Sequence, residues 1–317
     1  MMPMDGGPVV EVSHLRKAYG LVAAVEDISF QVSAGEIFAI VGPNGAGKTT
    51  TVECVEGLRV PDSGTIRVLR LDPRKDRYAL RSRAGMQLQE SGLQMNIKVW
   101  EACDLFSSFY LRTVDWNELL ERLGLADKRD STFRKLSGGQ KQRLHVALAL
   151  LSDPEVVFLD ELTTGLDPQA RRAIWDLILE VRGRGKTVVL TTHYMEEAER
   201  LSDRVAVIDA GKIVALDTPE NLVRDLEAEE RIAFVVVGPP GTFRPGLVSE
   251  VPGVSRVTED GDRVSVYGRG EQLVVGVVEA LSRARVPFTD LRPERPSLED
   301  VFLARTGKRI RSEEEGR

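Results

Sequence analysis

The segment Gly42-Pro43-Asn44-Gly45-Ala46-Gly47-Lys48-Thr49 satisfies the spacing G-x-x-x-x-G-K-[ST] and follows an apolar run that ends at Val41. Glycines let such a loop wrap until successive backbone N–H groups point inward, and a helix starting there adds the positive end of its dipole. The chemistry this predicts is capture of a polyphosphate. Lys48 is placed to reach the β- and γ-phosphates, and the Thr49 hydroxyl to sit on Mg2+. The helix opens Thr49-Thr50-Thr51-Val52, β-branched residues of modest helix propensity, so local preference did not choose them. A glycine-rich turn matching this spacing by chance is expected in roughly one in a hundred chains of this length.

Two further segments carry chemistry that fits a bound polyphosphate. Val156-Val157-Phe158-Leu159 runs into Asp160-Glu161, and a buried strand ending in acids presents them at the sheet's carboxyl edge, where open α/β sheets bind ligands. Asp160 is then the Mg2+ partner, directly or through water, and Glu161 the residue that polarises an attacking water. An acidic pair closing a strand is by itself more often a solvated turn; beside a phosphate loop the odds reverse. Leu136-Ser137-Gly138-Gly139-Gln140 precedes the amphipathic Lys141 to Leu150. Ser137 is a predicted N-cap, with two glycines that let a backbone approach closely, which makes a second helix N-terminus able to bind anions.

Such groups meet only if several strand ends reach one edge of a sheet. The apolar runs Glu36 to Val41, Val156 to Leu159, Thr187 to Leu190 and Val205 to Ile208, with helical stretches between them, predict an α/β fold with a mainly parallel sheet covered on both faces. From about Arg83 to Asp153 the pattern becomes all-helical, with helices expected over Val99 to Tyr110, Trp116 to Leu123 and Gly138 to Leu151. The charged stretch Arg224 to Glu230 marks a second change. Beyond it, strand-like Ile232 to Val237, Val254 to Thr258, Val264 to Tyr267 and Val286 to Leu291 surround an apolar-periodic Gln272 to Arg283. The expected organisation is residues 1–228, with a helical insertion at about 83–153, and a small α+β domain over 229–317 with a frayed tail.

Composition narrows the partners. With 43 basic and 49 acidic residues and a net charge of −6, there is no uniform positive field for a phosphate backbone, and no nucleic acid is expected. Two cysteines, Cys54 and Cys103, cannot build a disulfide framework and lack metal-ligand spacing. No stretch reaches the ~20 apolar residues of a membrane span, and the reducing cytoplasm fits best.

The pentapeptide Leu136 to Gln140 is the fingerprint of the ATP-binding cassette ATPases, and the chain resembles that family from about Val9 to Asp217. At average residue usage the five letters coincide in fewer than roughly one in a thousand chains. The resemblance implies a P-loop NTPase core, ATP and Mg2+ as cofactors, and further site residues. Tyr19, in Leu15-Arg16-Lys17-Ala18-Tyr19-Gly20, is implied to stack on adenine, its alternative being an ordinary surface tyrosine. Gln89, in Met86-Gln87-Leu88-Gln89-Glu90, matches the glutamine that touches Mg2+ and the attacking water, with Gln87 as a rival two residues away. Asp167, in Thr164-Gly165-Leu166-Asp167-Pro168, resembles the residue that crosses to the other subunit, and His193, after Thr191-Thr192, the histidine on the γ-phosphate. His14 and His145 have no such setting. Leu162 stands where the family usually has proline, which is expected to loosen the crossing loop.

The family places the Ser137 turn of one cassette over the phosphate loop of another, and this chain has one of each. The resemblance therefore implies a homodimer, or pairing with a similar cassette, around two ATP molecules. It also implies a polytopic permease subunit docked near Gln89 to Tyr110 and a peripheral place on the cytoplasmic face of the membrane. Glu294-Arg295-Pro296-Ser297-Leu298-Glu299-Asp300-Val301-Phe302-Leu303 is similar to the closing segment of drug-resistance exporter ATPases; equally, it reads as a helix capped by Ser297. The leading expectation is the ATPase subunit of an exporter. The alternative is a soluble cassette clamping DNA or ribosomes, although the interval from Lys48 to Asp160 has no sustained heptads and there is a single cassette. A non-hydrolysing sensor conflicts with Glu161 and His193.

Overall fold

The computed structural model describes residues 7–87, 93–226, 229–239, 241–270, 272–294 and 296–308. The chain divides into two compact units, Met1–Pro219 with Arg305–Arg317, and Glu220–Ala304. This division falls earlier than the 228/229 boundary expected from the charged stretch, and the last segment belongs with the first unit.

In the first unit the chain runs β1 (Val10–Tyr19), β2 (Val22–Val32), β3 (Ile37–Val41), α1 (Lys48–Val55), β4 (Ser63–Val68), α2 (Arg77–Arg81), β5 (Ala84–Gln87), α3 (Val99–Ser107) and α4 (Trp116–Arg122). It continues through α5 (Gly138–Leu150), β6 (Val156–Asp160), α6 (Pro168–Gly183), β7 (Thr187–Thr192), α7 (Met195–Leu201), β8 (Arg204–Asp209) and β9 (Lys212–Asp217). The nine strands form one sheet in the order β4-β1-β2-β9-β8-β3-β7-β6-β5. From β8 to β5 every pairing is parallel. Each residue of β3, β6 and β7 is buried, which is why these strands read as continuous apolar runs rather than alternating ones. Their register decides the site: Val41 lies opposite Thr192, and Asp160 opposite Thr191. The segments that follow β3, β6 and β7 therefore leave the sheet side by side.

Two features depart from the sequence expectation. β1 pairs antiparallel with β2 and β4, and β8 with β9, so an antiparallel region adjoins the parallel one. The alternation in β1 is broken by bulges between Val12 and Lys17, with His14 at φ 52°, so period-two patterning is lost where it would have signalled a strand. The second is a correction: the helical insertion does not begin at Arg83, because Ala84–Gln87 is an edge strand paired in parallel with β6. Gly85 hides the strand in the sequence, yet a Cβ there would lie 2.2 Å from the Ala149 carbonyl oxygen of α5. The glycine is the price of close helix–sheet packing. The expected insertion helices appear as α3, α4 and α5.

In the second unit α8 (Pro219–Arg224) leads to β10 (Glu230–Val236), α9 (Gly246–Ser249), β11 (Val254–Asp260), β12 (Arg263–Gly268), α10 (Leu273–Arg283), β13 (Phe288–Glu294) and α11 (Leu298–Thr306). The strands form an antiparallel sheet in the order β11-β12-β10-β13, a split βαβ arrangement. Leu273, Val277 and Leu281 of α10, four residues apart on one helix face, pack with Ile232, Phe234, Val264 and Val266 as its core.

Candidate nucleotide site

Sterics dictate the phosphate loop. Gly47 has φ +102°, and a Cβ on it would lie 2.2 Å from the Ala24 carbonyl oxygen, so only glycine fits there. Gly42 is as confined, with the Ile208 carbonyl oxygen 2.1 Å from the place of a Cβ, whereas Gly45 faces open space. Pro43, Asn44 and Ala46 complete the turn, closed by a 3.1 Å bond from the Ala46 N–H to the Pro43 carbonyl. Gly47 is the N-cap of α1 and no side chain caps that helix, so the first-turn N–H groups, those of Thr49 and Thr50 among them, are left for an anion. Lys48 is 4% exposed, and its Nζ donates to the carbonyls of Gly42 at 2.9 Å and Pro43 at 3.2 Å.

Asp160 ends β6, and its carboxylate accepts hydrogen bonds from the hydroxyls of Thr191 and Thr49. Thr49 and Asp160, one from α1 and one from β6, thus meet as an oxygen pair of the kind a hard divalent cation takes. Burial, and then the negative charge of Glu161, push the Asp160 carboxyl up. Glu161 behaves oppositely. Its backbone sits at φ 45°, a conformation that costs a non-glycine residue roughly 1–3 kcal/mol. It is held there by 3.1 Å bonds from its N–H to both the carbonyl and the hydroxyl of Thr191. Its Oε1 lies 3.3 Å from Lys48 Nζ and 3.7 Å from His193 Nδ1. The second distance is too long for a hydrogen bond. His193 first, and Lys48 against the opposing effect of burial, hold Glu161 far below the usual carboxylate range, at about 2. Both ring nitrogens of His193 are buried without a hydrogen-bond partner, an unmet demand for a polar group at this edge.

The second helix N-terminus is made differently. Ser137 Oγ accepts the Gln140 N–H at 3.3 Å, and Gln140 Oε1 accepts the Ser137 N–H at 3.0 Å, a reciprocal capping box. Ser137 and Gly138 are exposed and Gly139 is buried. A Cβ on Gly139 would meet Ala170 Cβ at 3.0 Å, and one on Gly138 the Leu166 side chain at 3.3 Å, so both glycines make room for the segment that leads into α6. Asp167 Oδ1 accepts the N–H groups of Gln169 and Ala170 at 3.0 and 2.9 Å as the N-cap of α6. Among the described residues no hydrogen bond or ion pair joins the Ser137 turn to the phosphate loop. Leu162, where the family's proline usually stands, is buried, 2% exposed.

Tyr19 closes β1 and is 42% exposed; the Arg59 guanidinium lies 5.2 Å and Lys17 Nζ 5.6 Å from its ring centre. Gln89 lies outside the described residues. Its rival Gln87 is 5% exposed and donates from Nε2 to Gln142 of α5 at 3.4 Å, while its buried Oε1 has no hydrogen-bond partner. His14 is exposed and paired with Asp27, and His145 packs on Phe133.

A family model for the ABC transporter matches residues 25–164. The daunorubicin resistance ATP-binding protein of Streptomyces coeruleorubidus is 38% identical over 307 residues, covering 94% of this chain and 96% of its own length. Nod factor export ATP-binding protein I of Ralstonia nicotianae is 37% identical over 311 residues, covering 96% and 95%. The chain belongs to the ABC transporter ATPases. A solved ATP binding subunit of an ABC transporter superposes with a TM-score of 0.63 at 28% identity, covering 69% of this chain and 93% of that one. Members of the family bind nucleotide and hydrolyse ATP to power transport. These relatives carry transport names and give the clamp on DNA or ribosomes no support.

The cassette also uses residues that sequence reasoning did not single out. Thr191 orients both acids, and a threonine inside an otherwise apolar, fully buried strand was the available signal. Glu197, 2% exposed on α7, was hidden among the ordinary charges of a short helix.

Proposed function

We propose that this cassette is the ATPase subunit of an exporter, acting as a pair on the cytoplasmic face of the membrane and energising a separately encoded polytopic permease. The observation that carries the permease is a groove of about 960 Å³ whose lining includes Tyr78, Arg81, Phe106, Phe109, Leu111 and Arg112. Phe109 is 66% exposed and Leu111 fully so, two large apolar side chains standing free at this groove. Arg81 and Arg112 add positive charge, so the groove suits an amphipathic helix with apolar anchors and an acidic residue. No helix among the described residues is long and apolar enough to cross a membrane, and the two relatives are named for daunorubicin resistance and Nod factor export.

In the proposed reaction the α1 N–H groups and Lys48 hold the β- and γ-phosphates. Thr49, Asp160 and Gln89 would hold Mg2+, which when bound neutralises charge between those phosphates. Glu161, ionised throughout the neutral range, accepts a hydrogen bond from the attacking water and aligns it. His193 donates to a γ-phosphate oxygen, and Tyr19 stacks on adenine. The exposed Ser137 and Gly138 of one copy, with Gly139, Gln140 and Asp167 behind them, face the nucleotide of its mate, a homodimer or a similar cassette. The test is co-purification from detergent-solubilised membranes with the co-expressed permease. The double variant Phe109→Asp, Leu111→Asp should lose the permease while keeping ATP binding, and its retention overturns the docking assignment.

A further inference from the structure

The Glu197 carboxylate is buried, 2% exposed, and makes no salt bridge among the described residues. Its Oε1 accepts the Trp175 indole N–H at 2.9 Å, and its Oε2 accepts the Thr163 hydroxyl at 3.1 Å. The Thr192 side chain also bonds it. Each donor comes from a different segment: Trp175 from α6, Thr163 from the stretch between Glu161 and Asp167, and Thr192 from the end of β7, immediately before His193. A buried carboxyl is costly unless its oxygens are satisfied, and an apolar residue would fill the same volume more cheaply in stability. Burial pushes this carboxyl up, while the hydroxyls, the indole and nearby Arg171 oppose that shift.

A second contact runs the same way. The Arg171 guanidinium of α6 lies 4.3 Å from the ring centre of Tyr194, whose ring is 4.1 Å from that of His193. The start of α6, at whose cap Asp167 stands, is thus tied to the His193 turn from two sides.

From this geometry we propose that Glu197 is a positioning residue: it clasps the Glu161-to-Asp167 segment and α6 to the turn that carries His193, so that a displacement of either is felt by the other. The proposal rests on the reading that His193 meets the γ-phosphate. Glu197 touches no reacting atom. Its part is to keep Glu161 and His193 in register with one another, a setting in which misplacement by about 1 Å costs on the order of a hundredfold in rate.

The test uses the full chain with Trp100→Phe and Trp116→Phe, which leaves Trp175 as the sole indole. Emission with Mg-ATP and with Mg-ADP reports the environment of its N–H bond, and steady-state hydrolysis gives kcat and KM. Glu197→Ala should lower kcat by about tenfold or more, leave KM within roughly threefold, and abolish the difference in emission between the two nucleotides. Glu197→Gln retains an acceptor for the indole and a group able to bond Thr163, and should restore both readouts. Thr163→Val, which removes one clasp at constant volume, should lower kcat severalfold and shrink the emission difference, and it serves if Glu197→Ala does not fold. His193→Ala is the control for the underlying reading: unchanged turnover in that variant overturns the role of His193. With His193→Ala inactive, parental kcat and emission difference in Glu197→Ala, or in Thr163→Val, overturn the clasp, as does failure of Glu197→Gln to rescue.

Discussion

The two helix N-termini proposed to meet phosphate are built on opposite principles. α1 begins at a glycine with no side-chain cap, its N–H groups left to a ligand and Lys48 folded across the loop. α5 begins at a serine that caps its own helix through a closed pair of hydrogen bonds. The first is left open at its start, because the first-turn N–H groups have no side-chain cap, while the Lys48 ammonium is already paired with Glu161 at 3.3 Å. The second is satisfied by itself and keeps Ser137 and Gly138 at the surface. In one half-site the demand for ligand is built into the fold; in the other the fold is complete and what is on offer is an exposed edge for a second molecule.

The largest expected effects break the first half-site. Glu161→Gln should cut turnover by about 10²–10⁴-fold, the usual worth of a positioned acid–base group, while equilibrium binding of ATP persists and an ATP-bound dimer accumulates on gel filtration. Unchanged turnover would remove Glu161 from the chemistry. Lys48→Ala should abolish measurable nucleotide affinity in calorimetry; parental affinity contradicts the cradle. Because Glu161 is held at about 2, it contributes no acid limb to the rate profile above that pH. Its contribution to stability is present above the ordinary value of 4.5 and is lost only as pH falls toward about 2.

Next in size is the far end of α1. Glu56 is the C-cap, 7% exposed, with Oε1 lacking any partner, and burial, then the charges of Asp160 and Glu53, push it to about 8. The negative end of the helix dipole acts in the same sense. A raised carboxyl leaves the folded state holding a proton the unfolded chain has lost, so stability falls as pH rises from 4.5 to about 8. Glu56→Gln should therefore raise the melting temperature more in mildly alkaline buffer than in mildly acidic buffer. Equal shifts at both pH values would refute the buried neutral acid.

The second half-site should respond more gently in fold and more sharply in pairing. Ser137→Ala removes one cap, about 1 kcal/mol, but should impair hydrolysis in a way that a mate can repair. Mixed with Lys48→Ala chains, Ser137→Ala chains should regain activity by forming one intact composite site, and an inert mixture would falsify pairing across copies. Smallest is Gly139→Ala, whose Cβ would press on Ala170 at 3.0 Å; a loss of about 1 kcal/mol in urea unfolding is expected, with ATP affinity unchanged.

Much of the site was legible because its signals are local. The phosphate loop, the acid pair after an apolar strand and the serine-glycine cap each lie within a few residues, where backbone sterics and capping act. What stayed hidden depends on partners distant in the chain. Gly85 masked an edge strand because its reason, a carbonyl of α5, lies far downstream. β1 and β4 did not announce themselves because bulges and half-exposed faces blurred their alternation. The burial of Leu162 likewise depends on neighbours that the local sequence does not name.

Residue order alone predicts a grip on polyphosphate, since the glycines and the lysine that follows the last of them stand at the spacing of a phosphate loop. That Glu161 lies 3.3 Å from Lys48, with His193 beside it, follows instead from the alignment of β3, β6 and β7. Side chains 113 and 145 positions away from Lys48 along the chain converge only when parallel strands buried on both faces end level with one another.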